Sequence, residues 1–155
     1  QSLSNPYTGI LSIFSTRIKN NNKINIFEDG EESRDFVYIQ DVVDATILGI
    51  EKEEADYNIY NVGSGARTTV SNVIRSLIKE YNVQSKFTIT GNFRLGDIRD
   101  NYADLSKIKK DLGFEPKISF KEGIKLLCEW VSSQEINEDN YAQSFQEMKN
   151  KGLLK

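Results

Sequence analysis

Apolar residues recur at helical spacing along this chain, and the pattern is clearest after Thr69. The positions i, i+3, i+4, i+7, i+8 and i+11 of that stretch are Val70, Val73, Ile74, Leu77, Ile78 and Tyr81. Thr69 is the predicted N-cap, because its hydroxyl can accept a hydrogen bond from a free backbone N–H group. Similar spacing predicts helices over 10–20, 41–53, 105–113 and 119–131, and a last amphipathic helix with Tyr141, Phe145 and Met148 on one side.

Two of these predicted helices also have recognisable starts. Asp41 is the predicted N-cap of the helix over 41–53, since its carboxylate can accept from free N–H groups and its charge suits the positive end of the helix. The spacing of Ser119 and Glu122 is that of a capping box, which predicts a helix start at that point.

Short runs of β-branched and aromatic residues predict four strands, over 25–27, 35–38, 57–62 and 87–90. The order is then helix, strand, strand, helix, strand, helix, strand and three further helices, which is typical of the α/β class. The strands are few, helices pack around them, and no complete βαβαβ half is present. We therefore expect the chain to be the second part of a larger fold.

The composition describes an ordinary globular protein and argues against several kinds of partner. The chain has 155 residues, of which 38% are hydrophobic and 28% are charged, enough for about one domain with a real core. Its net charge of -3 argues against binding to nucleic acid or to an anionic membrane, which both favour a basic surface. No run approaches the roughly 20 apolar residues of a membrane span.

The chain contains no histidine, and Cys128 is its one cysteine. A zinc centre or a histidine-based triad would lack its ligands, so no metal site is predicted. One cysteine cannot form an internal disulfide, which favours a reducing, cytoplasmic location. The chain begins with Gln1 and its single methionine is Met148, so we expect a processed or shortened form of a longer protein.

Four residues in predicted loops or element ends have the chemistry of a nucleotide site. Phe27 offers a flat face to a base, and Arg34 and Arg94 can each hold phosphate oxygens with a planar guanidinium. Asp97, three residues after Arg94, can accept hydrogen bonds from ribose hydroxyls. The alternative is a core phenylalanine with arginines in surface ion pairs, which are common and contribute little stability.

Two glycine patterns resemble phosphate-binding loops and fail on inspection. Gly63-Ser64-Gly65 follows a predicted strand, but Thr68 stands where a dinucleotide turn requires its third glycine. Gly91 and Gly96 have the spacing of a P-loop, but Asp97-Ile98 stands where Lys-Ser/Thr is required. A plain strand-to-helix turn is therefore expected at 63–65, with no cofactor bound there.

Seven blocks of the sequence occur in a fixed order: Asn5-Pro-Tyr-Thr-Gly9, Ile26-Phe-Glu-Asp-Gly30, Arg34-Asp-Phe-Val-Tyr-Ile-Gln-Asp41, Tyr60-Asn-Val-Gly-Ser-Gly65, Arg94-Leu-Gly-Asp97, Ala103-Asp-Leu-Ser-Lys107 and Leu112-Gly-Phe-Glu-Pro116. In this order they resemble the C-terminal half of the extended short-chain dehydrogenases, the NAD-dependent nucleotide-sugar epimerases and dehydratases. The resemblance covers Gln1 to about Val131. Each block alone is weak, and their shared order makes the match specific. The implied fold is the C-terminal portion of such an enzyme, without the complete Rossmann half.

The resemblance implies a role for each matching residue. Phe27 would stack on the nucleobase and Asn25 would line the same slot. Arg34 and Arg94 would hold the diphosphate, and Asp97 would bind the ribose. The remaining implied contacts are Thr8 and Gly9 with the sugar-diphosphate and Asn61 with a polar group of the substrate.

The family's catalytic parts are missing from this sequence. The Gly-rich NAD turn and the Tyr-x-x-x-Lys pair lie in the N-terminal half of such enzymes, and no tyrosine here has a lysine four positions later. The resemblance thus implies NAD in the parent enzyme, bound mainly by its N-terminal half, and a nucleotide-diphosphate-sugar as substrate. No cofactor and no turnover are expected for this chain alone, and the parent is expected to be a homodimer.

We assign residues 1–131 to the nucleotide-sugar-binding part and residues 132–155 to a polar connector with the last helix, whose role the resemblance does not cover. The alternative function is a non-catalytic module that binds nucleotide-sugars or another protein. Without its partner half the chain would expose apolar strand edges and helix faces, so we expect it to be less stable than its length implies or to self-associate.

Overall fold

The computed structural model describes Leu3, residues 9–135 and residues 141–155. The chain forms two compact units, each built from separate segments. The first unit contains Gln1–Glu32, Thr69–Arg99 and Ile124–Lys155, and the second contains Ser33–Thr68 and Asp100–Gly123.

Helices outnumber strands in the described residues, which confirms an α/β chain with few strands. The helices are α1 (Ile10–Lys19), α2 (Ile39–Glu51), α3 (Val70–Glu80), α4 (Ser106–Leu112), α5 (Phe120–Ser132) and α6 (Tyr141–Asn150). The strands are β1 (Ile24–Ile26), β2 (Ser33–Arg34), β3 (Thr68–Thr69) and β4 (Phe87–Ile89). No helix in this part of the chain is both long enough and apolar enough to cross a membrane.

A parallel strand pair organises the first unit. β1 lies beside β4 with Ile24 opposite Phe87 and Ile26 opposite Ile89. Both isoleucines of β1 are almost fully buried, as expected for a strand with a covered face. The pairing continues past the strands, because the backbone N–H of Thr90 donates to the carbonyl oxygen of Ile26 at 2.9 Å.

The helix predicted after Thr69 forms as its pattern indicates. The hydroxyl of Thr69 accepts a hydrogen bond from the backbone N–H of Asn72 at 3.2 Å, which confirms the N-cap. The apolar positions Val73, Ile74 and Leu77 are fully buried. This helix face therefore supplies a large share of the first unit's core.

The second unit has its own small core, formed by Ala45 on α2, Ile108 and Leu112 on α4, and Phe114. Helix α4 ends at Gly113 as predicted, with a left-handed φ of +67° that glycine adopts without steric cost.

The predicted N-cap role of Asp41 is wrong. Helix α2 begins at Ile39, so Asp41 lies inside its first turn. The carboxylate is buried, and it accepts hydrogen bonds from the backbone N–H groups of Lys117 at 2.9 Å and Ile118 at 3.2 Å. Asp41 thus satisfies the amides of a distant segment, which local sequence pattern cannot reveal.

Two predicted strands are also misplaced. The extended pair is Ser33–Arg34, just before the predicted 35–38, and residues 57–62 form no strand. Within the described residues no strand lies beside 57–62, and Tyr57 has a positive φ of +58°, which interrupts extended backbone. A β-rich composition without a pairing partner is not sufficient for a strand.

One face of α2 is apolar and exposed. Its residues Ile39, Val43, Ile47 and Ile50 are between 41% and 79% accessible. This exposed apolar face agrees with the expectation that the chain exposes apolar helix faces. The expected self-association stays a prediction.

Candidate functional site

The segment after β1 and the loop after β4 meet in the first unit. Because these strands are parallel, their carboxyl ends lie at the same edge of the sheet. The backbone N–H of Glu28 donates to the carbonyl oxygen of Asn92 at 2.7 Å, which joins the two loops directly. Phe27, the residue after β1, is therefore brought next to the loop that carries Arg94 and Asp97.

Arg99 ties the same two loops together through its side chain. Its guanidinium lies 3.0 Å from Glu28 Oε2 and 2.7 Å from Asp29 Oδ2. The hydrogen bond with Asp29 raises the pKa of Arg99 and lowers the pKa of the Asp29 carboxyl. Sequence reasoning assigned no role to Arg99, since a partner about 70 positions away leaves no local signal.

The turn that follows Phe27 is tightly closed. The backbone N–H of Gly30 donates to the carbonyl oxygen of Phe27 at 3.2 Å, and Gly30 has a φ of +78°. A Cβ atom at this glycine would lie 2.5 Å from Ser71 Oγ, so the position has no room for a side chain. Glu28 also has a positive φ of +46°, a strained conformation of the kind that concentrates at ligand sites.

Arg94 and Asp97 are the two ends of one β-turn. The backbone N–H of Asp97 donates to the carbonyl oxygen of Arg94 at 3.2 Å, and Gly96 supplies the positive φ of +79° that a type II turn needs at its third position. Both end residues are exposed. Arg94 and Asp97, three positions apart in sequence, therefore lie close together on one exposed turn.

The aromatic face at this edge is only partly covered. Phe27 is half-buried, and its ring centroid lies 6.3 Å from that of Phe145 with a 45° tilt. Asn25, also half-buried, lies in β1 opposite Thr88. Part of the Phe27 ring therefore stays accessible to a flat ligand.

Three carboxylates lie close together beside Phe27. Oxygen atoms of Glu28, Asp29 and Glu32 are all within 4.8 Å of one another. Glu32 is 7% exposed, and burial followed by the charges of Glu28 and Asp29 raises its pKa. The Arg99 guanidinium already pairs with the other two carboxylates, so the protein itself supplies a cation to this cluster.

A different acid, Asp35, organises the second unit. Its carboxylate accepts hydrogen bonds from the N–H and hydroxyl of Ser64 at 2.7 and 2.6 Å, from the N–H of Gly65 at 3.0 Å and from the N–H of Ala103 at 3.1 Å. Burial alone would raise the pKa of Asp35, but these hydrogen bonds outweigh it and lower the pKa. Sequence reasoning missed this residue.

The contacts of Asp35 explain the Gly63-Ser64-Gly65 turn. In a dinucleotide-binding turn the backbone N–H groups approach the pyrophosphate, but here those of Ser64 and Gly65 are directed at a carboxylate. A Cβ atom at Gly63 would lie 2.5 Å from Asp35 Oδ2, so the glycine serves this close approach. The N–H groups of Ser64 and Gly65 are therefore already used by a side chain of this protein.

The remaining predicted contacts have other positions. Arg34, half-buried in β2, donates from Nη1 to the carbonyl oxygen of Ser33 at 2.8 Å. Asn61 is exposed, and its Nδ2 lies 3.5 Å from the carbonyl oxygen of Asp104. Both residues belong to the second unit. Gly9 is the N-cap of α1, and Thr8 lies outside the described residues.

Comparison with known proteins identifies the family. The family model described as GDP-mannose 4,6 dehydratase matches residues 7–127. The chain is 36% identical over 140 residues to dTDP-L-rhamnose 4-epimerase of Burkholderia thailandensis, covering 90% of this chain and 38% of that protein. The chain belongs to the GDP-mannose 4,6-dehydratase family of extended short-chain dehydrogenases, which includes nucleotide-sugar epimerases.

Solved structures give the same result for the fold. UDP-glucose 4-epimerase of Thermotoga maritima, crystallised with UDP-glucose, superposes with a TM-score of 0.75 at 37% identity and covers 83% of this chain. UDP-glucose 4-epimerase of Thermus thermophilus, in complex with NAD, superposes with a TM-score of 0.75 at 25% identity over 84% of this chain. The chain spans 41% and 43% of these two proteins, or about two fifths of their length.

Proposed function

We propose that this chain is the substrate-binding part of an NAD-dependent nucleotide-sugar epimerase or dehydratase. The observation that carries the proposal is the common sheet edge, where the residue after half-buried Phe27 is hydrogen-bonded to the loop that leads into the exposed turn of Arg94 and Asp97. The proposed substrate contacts are Thr8, Gly9, Asn25, Phe27, Arg34, Asn61, Arg94 and Asp97. A nucleoside diphosphate has the groups that such side chains recognise.

Four of the proposed contacts, Phe27, Asn25, Arg94 and Asp97, have a direct physical reason. The accessible part of the Phe27 ring stacks on the base, and Asn25 contributes a polar group on the same strand. The planar guanidinium of Arg94 donates charge-assisted hydrogen bonds to the diphosphate oxygens. Asp97, three residues later in the chain, accepts hydrogen bonds from the ribose hydroxyls. The family resemblance assigns Arg34 to the diphosphate and Asn61 to a further polar contact.

NAD binding is assigned to the rest of the parent protein. The amides of the Gly63–Gly65 turn are already used by Asp35, and the sequence contains no Tyr-x-x-x-Lys pair. NAD would supply hydride chemistry in the parent enzyme, and this chain would bind the nucleotide part of the substrate. We accordingly expect no turnover from this chain alone.

Kinetics of arginine variants in the full-length protein that carries this sequence test the proposal. Arg94→Ala and Arg34→Ala should each raise KM for the nucleotide-sugar about tenfold or more, because each removes charge-assisted hydrogen bonds worth roughly 1.5–3 kcal/mol. Arg94→Lys should recover part of the loss, since the charge remains but the fork is gone. Arg75→Ala, at an exposed arginine on α3, is the matched control.

Unchanged KM in both alanine variants would refute the assignment of the arginines. Titration of this chain alone with UDP, dTDP, CDP and GDP tests the alternative function, a non-catalytic module that binds nucleotide-sugars. Micromolar binding with a clear base preference would identify a self-sufficient binding module.

A further inference from the structure

Helix α6 and the residues after it lie beyond the family match, which ends at residue 127. They nevertheless belong to the first compact unit, and they contact Phe27 and the loop after β4. We propose that Phe145 is a positioning residue for the nucleobase, acting through the ring of Phe27. This inference rests on the proposed function and adds to it a residue that the family match does not contain.

The Phe145 ring packs on Phe27 without covering it in parallel. Their centroids are 6.3 Å apart and the planes are tilted by 45°, whereas a stacked base would lie parallel to the ring at van der Waals distance. A tilted contact of this kind supports the orientation of Phe27 and differs from the parallel stacking expected of a base.

Phe145 is itself held in place by its own helix and by α1. Its ring stacks with Tyr141, one helical turn earlier, at a centroid distance of 5.9 Å and a 29° tilt. The guanidinium of Arg17, on α1, lies 4.3 Å from the centroid of Tyr141. A continuous set of contacts therefore joins α1 to the ring of Phe27.

The segment after α6 fixes the second loop in the same way. Phe93 and Lys155 exchange two backbone hydrogen bonds of 2.7 and 3.0 Å, and the N–H of Leu95 donates to the carbonyl oxygen of Leu153 at 2.8 Å. Arg94 stands opposite Leu154 in this antiparallel pairing. One terminal segment thus supports the base side through Phe145 and the phosphate side through the backbone of Arg94.

Separate measurement of base and phosphate affinity tests the inference in the full-length protein. The wild-type protein is first titrated with UDP, dTDP, CDP and GDP, and the tightest binder is compared with inorganic pyrophosphate. Phe145→Ala should weaken the nucleoside diphosphate about two- to tenfold, which is the range for one aromatic contact, and leave pyrophosphate unchanged. Phe145→Tyr should restore the nucleotide affinity, and Gln146→Ala, on the exposed side of α6, should alter neither.

A double-mutant cycle distinguishes positioning from general stability. In a Phe27→Ala background, Phe145→Ala should have no further effect on nucleotide affinity, because its action passes through the missing ring. Phe145→Leu repeats the comparison if the alanine variant does not fold. Equal losses for nucleotide and pyrophosphate, unchanged nucleotide affinity or tighter binding would each overturn the inference. Failure of the wild-type protein to bind any of the four nucleotides would instead refute the proposed function.

Discussion

Two glycine-containing turns, one in each unit, are both fixed by acidic side chains, but by contacts of different strength. The turn after β1 is held by ion pairs between Arg99 and the carboxylates of Glu28 and Asp29, and the Arg99 side chain is about half exposed. The Gly63–Gly65 turn is held by Asp35, one partly buried carboxylate that accepts four hydrogen bonds.

This difference predicts different effects of substitution at the two turns. Exposed ion pairs contribute little stability and can rearrange when an anionic ligand approaches. A carboxylate that satisfies several backbone N–H groups cannot be removed without leaving those donors unpaired. We therefore expect changes at the first turn to alter substrate affinity and changes at the second turn to alter folding.

The largest effect is expected for Asp35→Asn. The amide side chain retains one acceptor oxygen and places an NH₂ group against backbone donors, so the free energy of unfolding should fall by about 2–3 kcal/mol. Urea unfolding of the full-length protein measures the loss, with the exposed Glu51→Gln as control. A loss no larger than the control would show that Asp35 does not fix this turn.

Gly63→Ala should be the next most damaging change. The new Cβ atom would lie 2.5 Å from Asp35 Oδ2 and 2.7 Å from Ala103 Cβ, and such overpacking costs roughly 1–3 kcal/mol. Thermal unfolding should show a lower Tm with an unchanged KM for the nucleotide-sugar. A raised KM at unchanged Tm would contradict the prediction and would indicate that the Gly63–Gly65 turn contacts the substrate.

Gly96→Ala should change the KM for the nucleotide-sugar more than it changes the stability. No atom lies within 4 Å of the new Cβ, but the φ of +79° costs an alanine about 1 kcal/mol. Distortion of the turn moves Arg94 relative to Asp97, so KM should rise severalfold. An unchanged KM would mean that the turn does not contact the substrate.

The pH dependence of folding should report Asp35. Its folded pKa is lowered, so its contribution is present above the unfolded pKa of about 3.9 and is lost as the pH falls through the folded value. The stability gap between the wild type and Asp35→Asn should therefore close in strong acid. A gap that is constant from pH 7 to pH 2 would contradict this linkage.

Arg99→Ala should have the smallest effect on stability, because its ion pairs are exposed and screened by salt. Any loss in Tm should vanish at high ionic strength. The affinity for the nucleoside diphosphate should change more than the stability, since the loop after Phe27 loses its side-chain link to the loop after β4 and keeps only the backbone hydrogen bond between Glu28 and Asn92. The reverse order of effects would make Arg99 a structural residue.

Local pattern was sufficient for the features that depend on neighbours in sequence. The cap at Thr69 and the end of α4 at Gly113 both follow from spacing. The proximity of Arg94 and Asp97 follows for the same reason, because a turn of four residues brings them together, while their contact with a substrate stays a prediction.

The features that sequence pattern missed depend on partners far along the chain. Asp41 accepts from amides more than 70 positions away, Arg99 pairs with Asp29 across 70 positions, and Asp35 accepts from donors 29 to 68 positions away. The contact of Phe145 with Phe27 likewise joins the two ends of the chain. A carboxylate, a guanidinium or a ring has no preferred distant partner in a single sequence, so these contacts required the folded structure.

Hydrogen–deuterium exchange of the full-length protein, with and without its tightest-binding nucleoside diphosphate, tests the central claim most directly. We predict slower exchange on ligand binding in residues 27–30 and 92–99, with little change at Ser64 and Gly65, whose backbone N–H groups already donate to Asp35. Saturation of the protein with nucleotide without protection at 27–30 and 92–99 would contradict the claim that this chain binds the substrate at that edge.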